Sequence, residues 1–505
     1  MVTKKRFYRQ LVAYALCVCM IVGLSAGFPV SALASGTGLV NSGKQMTDIS
    51  GHWAQTQLNT WVNKGLISGF PDETFRPNNS ITRAEFMALV NRAYGFSEKA
   101  AISFSDVSKG DWFYDDVAKA VAAGYIVGYD DGTAGARNNI NRQEAAAVIY
   151  RLMKLPEYSS KDAIAKFSDY GSISAWSREA VNSVVAEGYM VGNPNGTFGP
   201  ANNITRAETV VTLSRATGEI YNAAGTYSEV RTIKGNATIN TTGITLDGAV
   251  VEGNLYLTPG IGDGTVVLRN VTVKGTTVIA GGGKNSVVLE DCELNKVVVS
   301  REDGIVRVSA QGGTSIQIVV VEAGAILDSA LLSEEGGILT VYVTADEAVE
   351  LSGDFGTVHV ENPGSVINVT GGSIENLIIA ETAAGSSVNL SQTASVANME
   401  INAPVTVTGQ GTIENAVIGE GAKETTFEKE PVNKEGPGST SPSTPPSTTP
   451  GGSTGGGGGQ TSTTVNIAAI SGIAAPVTGQ TPVTTITETA QYSGTVAWSP
   501  ADGSF

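Results

Sequence analysis

The chain has 505 residues, 61 of them glycine, and a formal net charge of -16. This length exceeds what one hydrophobic core can organise, so several domains are expected. The excess of carboxylates argues against nucleic acid as a partner, because phosphate backbones are bound by clustered Lys and Arg.

The N-terminus carries the features of a secretion signal. A basic start, KKRFYR, precedes an apolar run to about residue 30, and Ala32-Leu33-Ala34 supplies a small-x-small cleavage site. Residues 1–34 are therefore predicted to be a signal peptide, the alternative being a retained membrane anchor. No membrane association is expected after cleavage. Cys292 is then the single remaining cysteine, so no intrachain disulfide is predicted.

One pattern occurs three times, in residues 46–97, 104–154 and 166–217. In each copy a Trp precedes a Gly by twelve residues, a second Gly follows four residues later, and an Arg stands eighteen residues after the first Gly. An Asp lies five, six or seven residues before each Trp. Repetition at this period predicts structural units that pack on one another, because two short helices bury too little surface alone.

Each copy is predicted to fold as helix, turn, loop and helix. The first helix follows the Trp and ends at the Gly, which suits a left-handed C-cap. The second helix begins at a capping box, in which a side-chain oxygen and a Glu three residues later satisfy backbone donors. The predicted capping residues are Thr82 with Glu85, Asn141 with Glu144, and Thr205 with Glu208. We interpret these glutamates as caps and not as ligand-binding groups.

The Arg at the start of each second helix is unexpected, because a cation at the positive end of the helix dipole costs about 0.3–1 kcal/mol. One hypothesis is that it faces a bound anion, since unpaired N–H groups and a guanidinium both suit a carboxylate or phosphate. The alternative is an internal Arg–Asp bridge, or stacking on the Trp of an adjacent copy. For the Trp, core packing and stacking on a sugar ring are both open.

These spacings, with Ile-Thr-Arg-Ala-Glu at residues 81–85, resemble the surface-layer homology domain of bacterial cell-surface proteins. The resemblance implies an all-α pseudo-threefold trimer within one chain, a three-helix bundle with prongs. Grooves between the prongs would bind a secondary cell-wall polysaccharide, typically through pyruvylated N-acetylmannosamine. In this family the ketal carboxylate meets the Arg, while Asp, Trp and Gly contact the sugar.

The resemblance assigns four ligand-binding residues to each copy. By position they are Asp48, Trp53, Gly65 and Arg83, then Asp106, Trp112, Gly124 and Arg142, then Asp169, Trp176, Gly188 and Arg206. Replacing Arg83 and Arg206 with Ala is expected to weaken wall retention without unfolding the domain. The second copy, with DDGTAGARNNINRQE, lacks the Phe and Pro of the other two, so its groove is expected to be weaker or mainly structural.

From residue 227 to 428 short runs of Val, Ile, Leu and Thr alternate with Gly, Asn and Asp. LDGAVVEG, LRNVTVKG and LEDCELNK begin at Leu246, Leu268 and Leu289, and similar segments place Asn376, Asn398 and Asn415 at a comparable interval. A strand-rich period near twenty residues predicts an all-β right-handed β-helix or solenoid. A pair of β-sandwiches is the alternative.

Catalysis on the solenoid would need carboxylates that converge on one face. Glu290, Asp291 and Glu293 share one rung and do not recur on its neighbours, so we interpret them as part of a solvated turn. The region has no Trp and one His, His359. We therefore predict no catalytic residues, metal or cofactor. The alternatives are a wall-anchored polysaccharide-degrading enzyme and an adhesin with an unknown solenoid partner.

Residues 430–464 form a linker rich in Pro, Ser, Thr and Gly, and residues 465–505 resemble the start of an immunoglobulin-like module. About forty residues cannot close such a sandwich, so we expect the chain to be a piece of a longer protein, the alternative being that this end is unfolded. The function predicted is noncovalent anchoring of a secreted surface protein to the bacterial cell wall or surface layer.

Overall fold

The computed structural model describes residues 46–158, 160–228 and 230–439. A helical region comes first and an all-β region follows it, which confirms the predicted multidomain class. Among the helices in these ranges, none combines the length and the apolar character that a membrane crossing needs. The predicted signal peptide, residues 465–505 and most of the linker lie outside the described residues.

Within the described residues, seven α-helices form the first region, two for each copy of the repeat and a short one between the second and third copies. They are α1 (Gln55–Asn63), α2 (Arg83–Tyr94), α3 (Tyr114–Ala122), α4 (Arg142–Leu152), α5 (Asp162–Ala165), α6 (Arg178–Ala186) and α7 (Arg206–Thr217). Single 3-10 turns lie at Tyr170–Ser172, Ala175–Ser177, Pro259–Ile261 and Glu420–Ala422. Helices α2, α4 and α7 all begin at a capping box made by the residues identified above.

The three copies close into a ring through their backbones. The N–H of Ile81 donates to the carbonyl oxygen of Ile204, that of Ile204 to Ile140, and that of Ile140 to Ile81, each at 3.1 Å. Each first helix packs against the second helix of a neighbouring copy: α3 on α2, α6 on α4 and α1 on α7. The three copies therefore share one core and form a single pseudo-threefold unit.

The second helices lie at the centre of this unit, since most of their residues are buried. Each has one exposed residue, in its last turn: Arg92 in α2, Arg151 in α4 and Arg215 in α7. The first helices are peripheral; α1, for example, buries only Leu58 and Trp61. The predicted helix, turn, loop and helix are therefore present in every copy.

Twenty-four strands follow in the part of the chain that the structure describes, and every pairing between these strands is parallel. They are β1 (Glu219–Tyr221), β2 (Gly225–Tyr227), β3 (Arg231–Ile233), β4 (Ala237–Ile239), β5 (Ile244–Asp247), β6 (Ala249–Val251), β7 (Leu255–Leu257), β8 (Val266–Arg269), β9 (Thr272–Ile279), β10 (Val287–Glu290), β11 (Glu293–Val299), β12 (Val306–Gly312), β13 (Ser315–Val321), β14 (Ala325–Leu332), β15 (Gly337–Val343), β16 (Val349–Ser352), β17 (Phe355–Val360), β18 (Val366–Ile379), β19 (Ser386–Leu390), β20 (Ala394–Ile401), β21 (Val405–Gly409), β22 (Thr412–Ile418), β23 (Thr426–Phe427) and β24 (Asn433–Glu435).

Residues that lie one sequence period apart pair with each other on adjacent turns of the solenoid. Leu246 pairs with Leu268, and Leu268 with Leu289, so the predicted repeat points are stacked neighbours. Asn376, Asn398 and Asn415 form a second column, in which each amide donates to the Asn oxygen on the preceding turn at 3.2 and 3.1 Å. Interior positions of successive turns build one continuous apolar core. This arrangement is a solenoid and not a pair of β-sandwiches.

The solenoid is longer than the sequence predicted. Its first strand begins at Glu219, directly after α7 and Gly218, and not at residue 227. Its last strand, Asn433–Glu435, lies in the stretch predicted to be linker. Each of these terminal strands has only three residues, which is too short for an alternation of apolar and polar residues to reveal it, although the first one buries Ile220 and Tyr221.

The first turns of the solenoid bind the ends of the central helices. Asn240 Nδ2 donates to the carbonyl oxygens of Arg92 and Ala93 at 3.1 and 2.9 Å, and Thr258 Oγ1 donates to that of Tyr94 at 2.7 Å. Asn236 and Thr238 bind the end of α7 in the same way. Because the last carbonyls of a helix have no partner within it, the solenoid acts as the C-cap of these helices.

Candidate functional site

The three aspartates hold a loop within their own copy. Asp48 accepts the backbone N–H groups of Phe75 and Arg76, one on each carboxylate oxygen, both at 2.7 Å. The equivalent pairs are Asp106 with Ala134 and Ala136, and Asp169 with Phe198 and Gly199. Both oxygens of each aspartate are therefore engaged by the protein, which gives these residues a structural role in positioning the loop.

The N-termini of the second helices do not offer unpaired N–H groups. The first two N–H groups of α2 donate to the carbonyl oxygens of Asn138 and Ala136 in the second copy, both at 2.9 Å. The third, of Glu85, donates to Thr82 Oγ1 at 3.2 Å. The first two N–H groups of α4 and of α7 likewise reach backbone carbonyls of the following copy around the ring. The hypothesis of an anion site built from unpaired helix N–H groups is therefore wrong.

The Arg at the start of α4 is held by internal partners. The Arg142 guanidinium donates to Glu208 Oε1 at 3.0 Å, to the Phe198 carbonyl at 2.8 Å and to the Val191 carbonyl at 2.6 Å. Its side chain is 6% exposed, and burial lowers the pKa of Arg142 while the charge of Glu208 opposes that effect. An Arg retains its proton under such a shift, so the pair is ionic.

Arg206 repeats this arrangement in the next copy around the ring. It donates to Glu85 Oε1 at 2.6 Å and to the Phe75 carbonyl at 2.9 Å, and its guanidinium lies 4.6 Å from the Phe75 ring centroid. The partners of these arginines within the protein are thus a capping Glu and a Phe ring, and not the Asp or Trp that the sequence suggests as internal partners. The capping glutamates have a second role, which is to balance the Arg of a neighbouring copy.

The second copy departs from this scheme. Arg83 donates to the Ala134 carbonyl at 3.1 Å, and its guanidinium lies 4.7 Å from the Tyr129 ring centroid. The Tyr129 hydroxyl donates to Glu144 Oε1 at 3.0 Å. Within the described ranges Arg83 forms no ion pair, because Tyr129 engages the carboxylate that is equivalent to Glu85 and Glu208. The small residue Ala134 stands here where the other copies have Phe.

The three tryptophans are at the surface. Trp53, Trp112 and Trp176 are 63%, 64% and 60% exposed, so the core-packing alternative is wrong for all three. Each indole therefore presents an aromatic face to solvent, which suits stacking on a sugar ring. Trp61, which sequence reasoning did not single out, is the buried Trp of this region.

A groove of about 180 Å³ combines residues of all three copies. The first copy contributes Ile67, Ser68, Gly69, Phe70, Glu85, Ala88, Leu89 and Arg92, the second contributes Trp112, and the third contributes Arg206. Of the residues predicted to bind ligand, Trp112 and Arg206 meet here, whereas Asp48 and Gly65 do not line the groove. The resemblance assigns each set of ligand-binding residues to a single copy, whereas the groove in the structure combines residues of three copies.

The two glycines of each copy have different roles. Gly65, Gly124 and Gly188 have φ near +70° and end the first helices as predicted, and a Cβ added at any of them would meet no atom within 4 Å. Gly69 lies in the groove floor, where a Cβ would come within 2.6 Å of the Thr74 carbonyl oxygen. Sequence reasoning noted Gly69 only as a spacing marker.

Arg92 is a second groove residue that sequence reasoning missed. The available signal was the recurrence of Arg92, Arg151 and Arg215 nine residues after the first Arg of each helix. A basic residue in the last helical turn is ordinary, because it interacts favourably with the helix dipole, so the signal did not suggest a ligand.

Two of the three solenoid carboxylates considered for catalysis, Glu290 and Asp291, have internal partners. Glu290 pairs with Arg269 at 2.8 Å, and Asp291 accepts the N–H of Gly313 at 2.7 Å. The described residues contain no group of three or more His, Cys, Asp or Glu side chains that could hold a metal ion.

Comparison with known proteins agrees with this geometry. A family model described as the S-layer homology domain matches residues 45–87, 103–146 and 166–210. A cellulosome-anchoring protein of Acetivibrio thermocellus is 51% identical over 79 residues, which cover 15% of this chain and 18% of that protein. S-layer protein EA1 of Bacillus anthracis is 26% identical over 287 residues, which cover 56% of this chain and 31% of that protein.

Enzymes also occur among the similar proteins. An amylopullulanase of Thermoanaerobacterium thermosulfurigenes is 34% identical over 168 residues, which cover 33% of this chain and 9% of that protein. The solved structure of a cell-surface chitinase from Paenibacillus is 25% identical with a TM-score of 0.25, covering 28% of this chain and 13% of that one. The chain spans less than a third of the length of each of these proteins.

The family match coincides with the three copies that the spacing defined and the ring unites. Residues 45–210 therefore carry three S-layer homology domains, and the chain is a secreted cell-surface protein in which these domains precede a parallel β-solenoid of about 11 turns.

Proposed function

We propose that the three S-layer homology domains anchor this protein to the cell wall by binding an acidic secondary cell-wall polysaccharide, with pyruvylated N-acetylmannosamine as the recognised sugar. The groove that contains Trp112 and Arg206 carries the proposal. It joins an exposed indole to a cationic wall, the combination that a sugar acid requires. No covalent bond is made or broken.

More than one groove contributes to retention. Trp53 and Trp176 are exposed like Trp112, and the ring relates the three copies, so equivalent surfaces recur around the unit. Linked weak sites on one polymer bind far more tightly than each site alone, because the second contact is intramolecular. The groove built on Arg83 and Tyr129 has an altered arrangement, so we expect that groove to contribute least.

The solenoid acts as a rigid spacer that holds the following part of the protein away from the wall. Its first turns cap the central helices, so the anchor and the spacer are continuous. Its apolar core continues through successive turns, and the column of Asn side chains links the later ones, so both features have a structural role. We propose that this region has no catalytic role.

Binding of the purified full chain to wall sacculi tests the anchoring. Sacculi should retain the protein, and mild acid removal of pyruvyl ketals from the polymer should abolish retention. Trp112→Ala should weaken binding, while Leu331→Ala, an exposed apolar residue on the solenoid, should not. Equal retention by native and ketal-free sacculi would contradict the proposed sugar, and failure to bind native sacculi would contradict anchoring itself.

An assay for new reducing ends or unsaturated products tests the absence of catalysis. The full chain should release neither from wall polysaccharide, chitin or starch. Turnover abolished by a substitution on the solenoid would instead support an anchored enzyme.

A further inference from the structure

We propose that Arg92, and not Arg206, supplies the positive charge that meets the carboxylate of the bound glycan in the Trp112 groove. This inference rests on the proposed function and adds the residue that recognises the acid. It differs from the assignment that the family resemblance implies, in which the Arg at the start of the helix has that task.

Exposure distinguishes the two arginines. Arg206 is largely buried, and three of its neighbours hold it: Glu85, the Phe75 carbonyl and the Phe75 ring. Arg92 is the one exposed residue of α2, in a helix that is otherwise buried or half-buried, and it lines the groove. Among the described residues, its side chain donates one hydrogen bond, a long one of 3.4 Å from Nη1 to the Leu66 carbonyl. Arg92 can therefore turn toward a ligand without losing a strong contact.

Charge balance leads to the same residue. The groove lining contains two guanidiniums, Arg92 and Arg206, and one carboxylate, Glu85. Glu85 is 2.6 Å from Arg206 and neutralises it, while no described carboxylate forms an ion pair with Arg92. The net charge of the lining is therefore +1, and it is located on Arg92. A glycan carboxylate placed beside Arg206 would also stand beside Glu85, and like charges at that separation repel.

The same position recurs in the other copies. Arg151 and Arg215 are the exposed residues of α4 and α7, and neither forms an ion pair with another described residue. Each copy thus brings an unneutralised guanidinium to the surface at the same point of the ring, although the residues around it differ.

A comparison of two probes isolates the contact. Trp53→Ala and Trp176→Ala in the full chain leave the Trp112 groove as the intact one. Binding of pyruvylated N-acetylmannosamine and of its neutral methyl ester is then measured by calorimetry in this background and after Arg92→Gln. Lys234→Gln, which removes an exposed charge on the solenoid, controls for a general change in net charge. Arg92→Lys tests rescue by a conserved charge.

The background protein should prefer the acid over the ester by about two- to fivefold, the range for a partly screened ion pair. Arg92→Gln should bind both probes with the affinity of the ester, Arg92→Lys should restore part of the preference, and Lys234→Gln should leave it unchanged. Unchanged preference in Arg92→Gln would overturn the inference, and so would equal binding of acid and ester before that substitution. In both cases retention on sacculi would leave anchoring intact. Loss of all binding to native sacculi would overturn anchoring, and this inference with it.

Discussion

Replacing Arg142 with Ala removes three hydrogen bonds from an almost fully buried guanidinium. Glu208, 28% exposed, would lose its counter-ion, and the carbonyls of Phe198 and Val191 would lose a donor. Removing one member of a buried ion pair costs about 3–5 kcal/mol, and the partial exposure of Glu208 places the expected loss near the lower end, about 3 kcal/mol. For the buried Arg142 and Arg206 we therefore predict a loss of stability, in contrast to the expectation that replacing such an Arg weakens binding without unfolding the domain.

Urea unfolding measures this loss and can be followed by total Trp fluorescence, because the buried Trp61 becomes exposed when the domain unfolds. Arg151→Ala is the matched control, because it removes an exposed Arg from the same helix and should change stability by less than about 0.5 kcal/mol. In the double variant with Glu208→Gln, the losses should be less than additive, because the two residues interact directly. An Arg142→Ala protein as stable as its control, with wall binding lost, would refute the structural role.

Three further outcomes are expected. Gly95→Ala should destabilise the protein far more than Gly65→Ala, which should cost about 1–2 kcal/mol. Both glycines have a left-handed φ, but only at Gly95 would a Cβ meet backbone, 2.6 Å from the Asn240 carbonyl oxygen. The urea midpoints of the two variants measure the difference in stability. Burial raises the pKa of the Cys292 thiol to about 11, so alkylation at pH 8 should be negligible until the solenoid unfolds; rapid labelling of native protein would contradict this. Burial, with a contribution from Glu219, raises the pKa of Tyr221 to about 12. The stabilisation that comes from this raised pKa should be complete below pH 10 and lost as the pH rises through 12. In urea titrations at alkaline pH, Tyr221→Phe should lack this part of the pH-dependent loss of stability.

Local patterns were sufficient to predict much of the helical region. Capping boxes form within four residues, and a helix that ends at Gly needs only a left-handed turn, so Thr82, Asn141, Thr205 and the first glycines follow directly from the sequence. The solenoid was equally accessible, because each turn stacks on its neighbour and a repeat in sequence becomes a register in space.

The groove could not be predicted in the same way. Its lining joins Gly69, Trp112 and Arg206, which lie far apart in the sequence and in three different copies. Which copy approaches which depends on how the ring closes, and the capping-box pattern of Glu85 carries no information about a partner 121 positions away. The aspartates illustrate the same limit, since their recurrence indicates importance but not whether they bind backbone or ligand.

The sequence by itself therefore determined the three repeats, the helix boundaries and the solenoid period, because these depend on interactions between residues that are close along the chain. Only the tertiary structure decided which arginines are neutralised, which tryptophans face solvent and which residues share a groove. Those properties depend on contacts between copies, where burial and charge balance are set by closure of the whole ring.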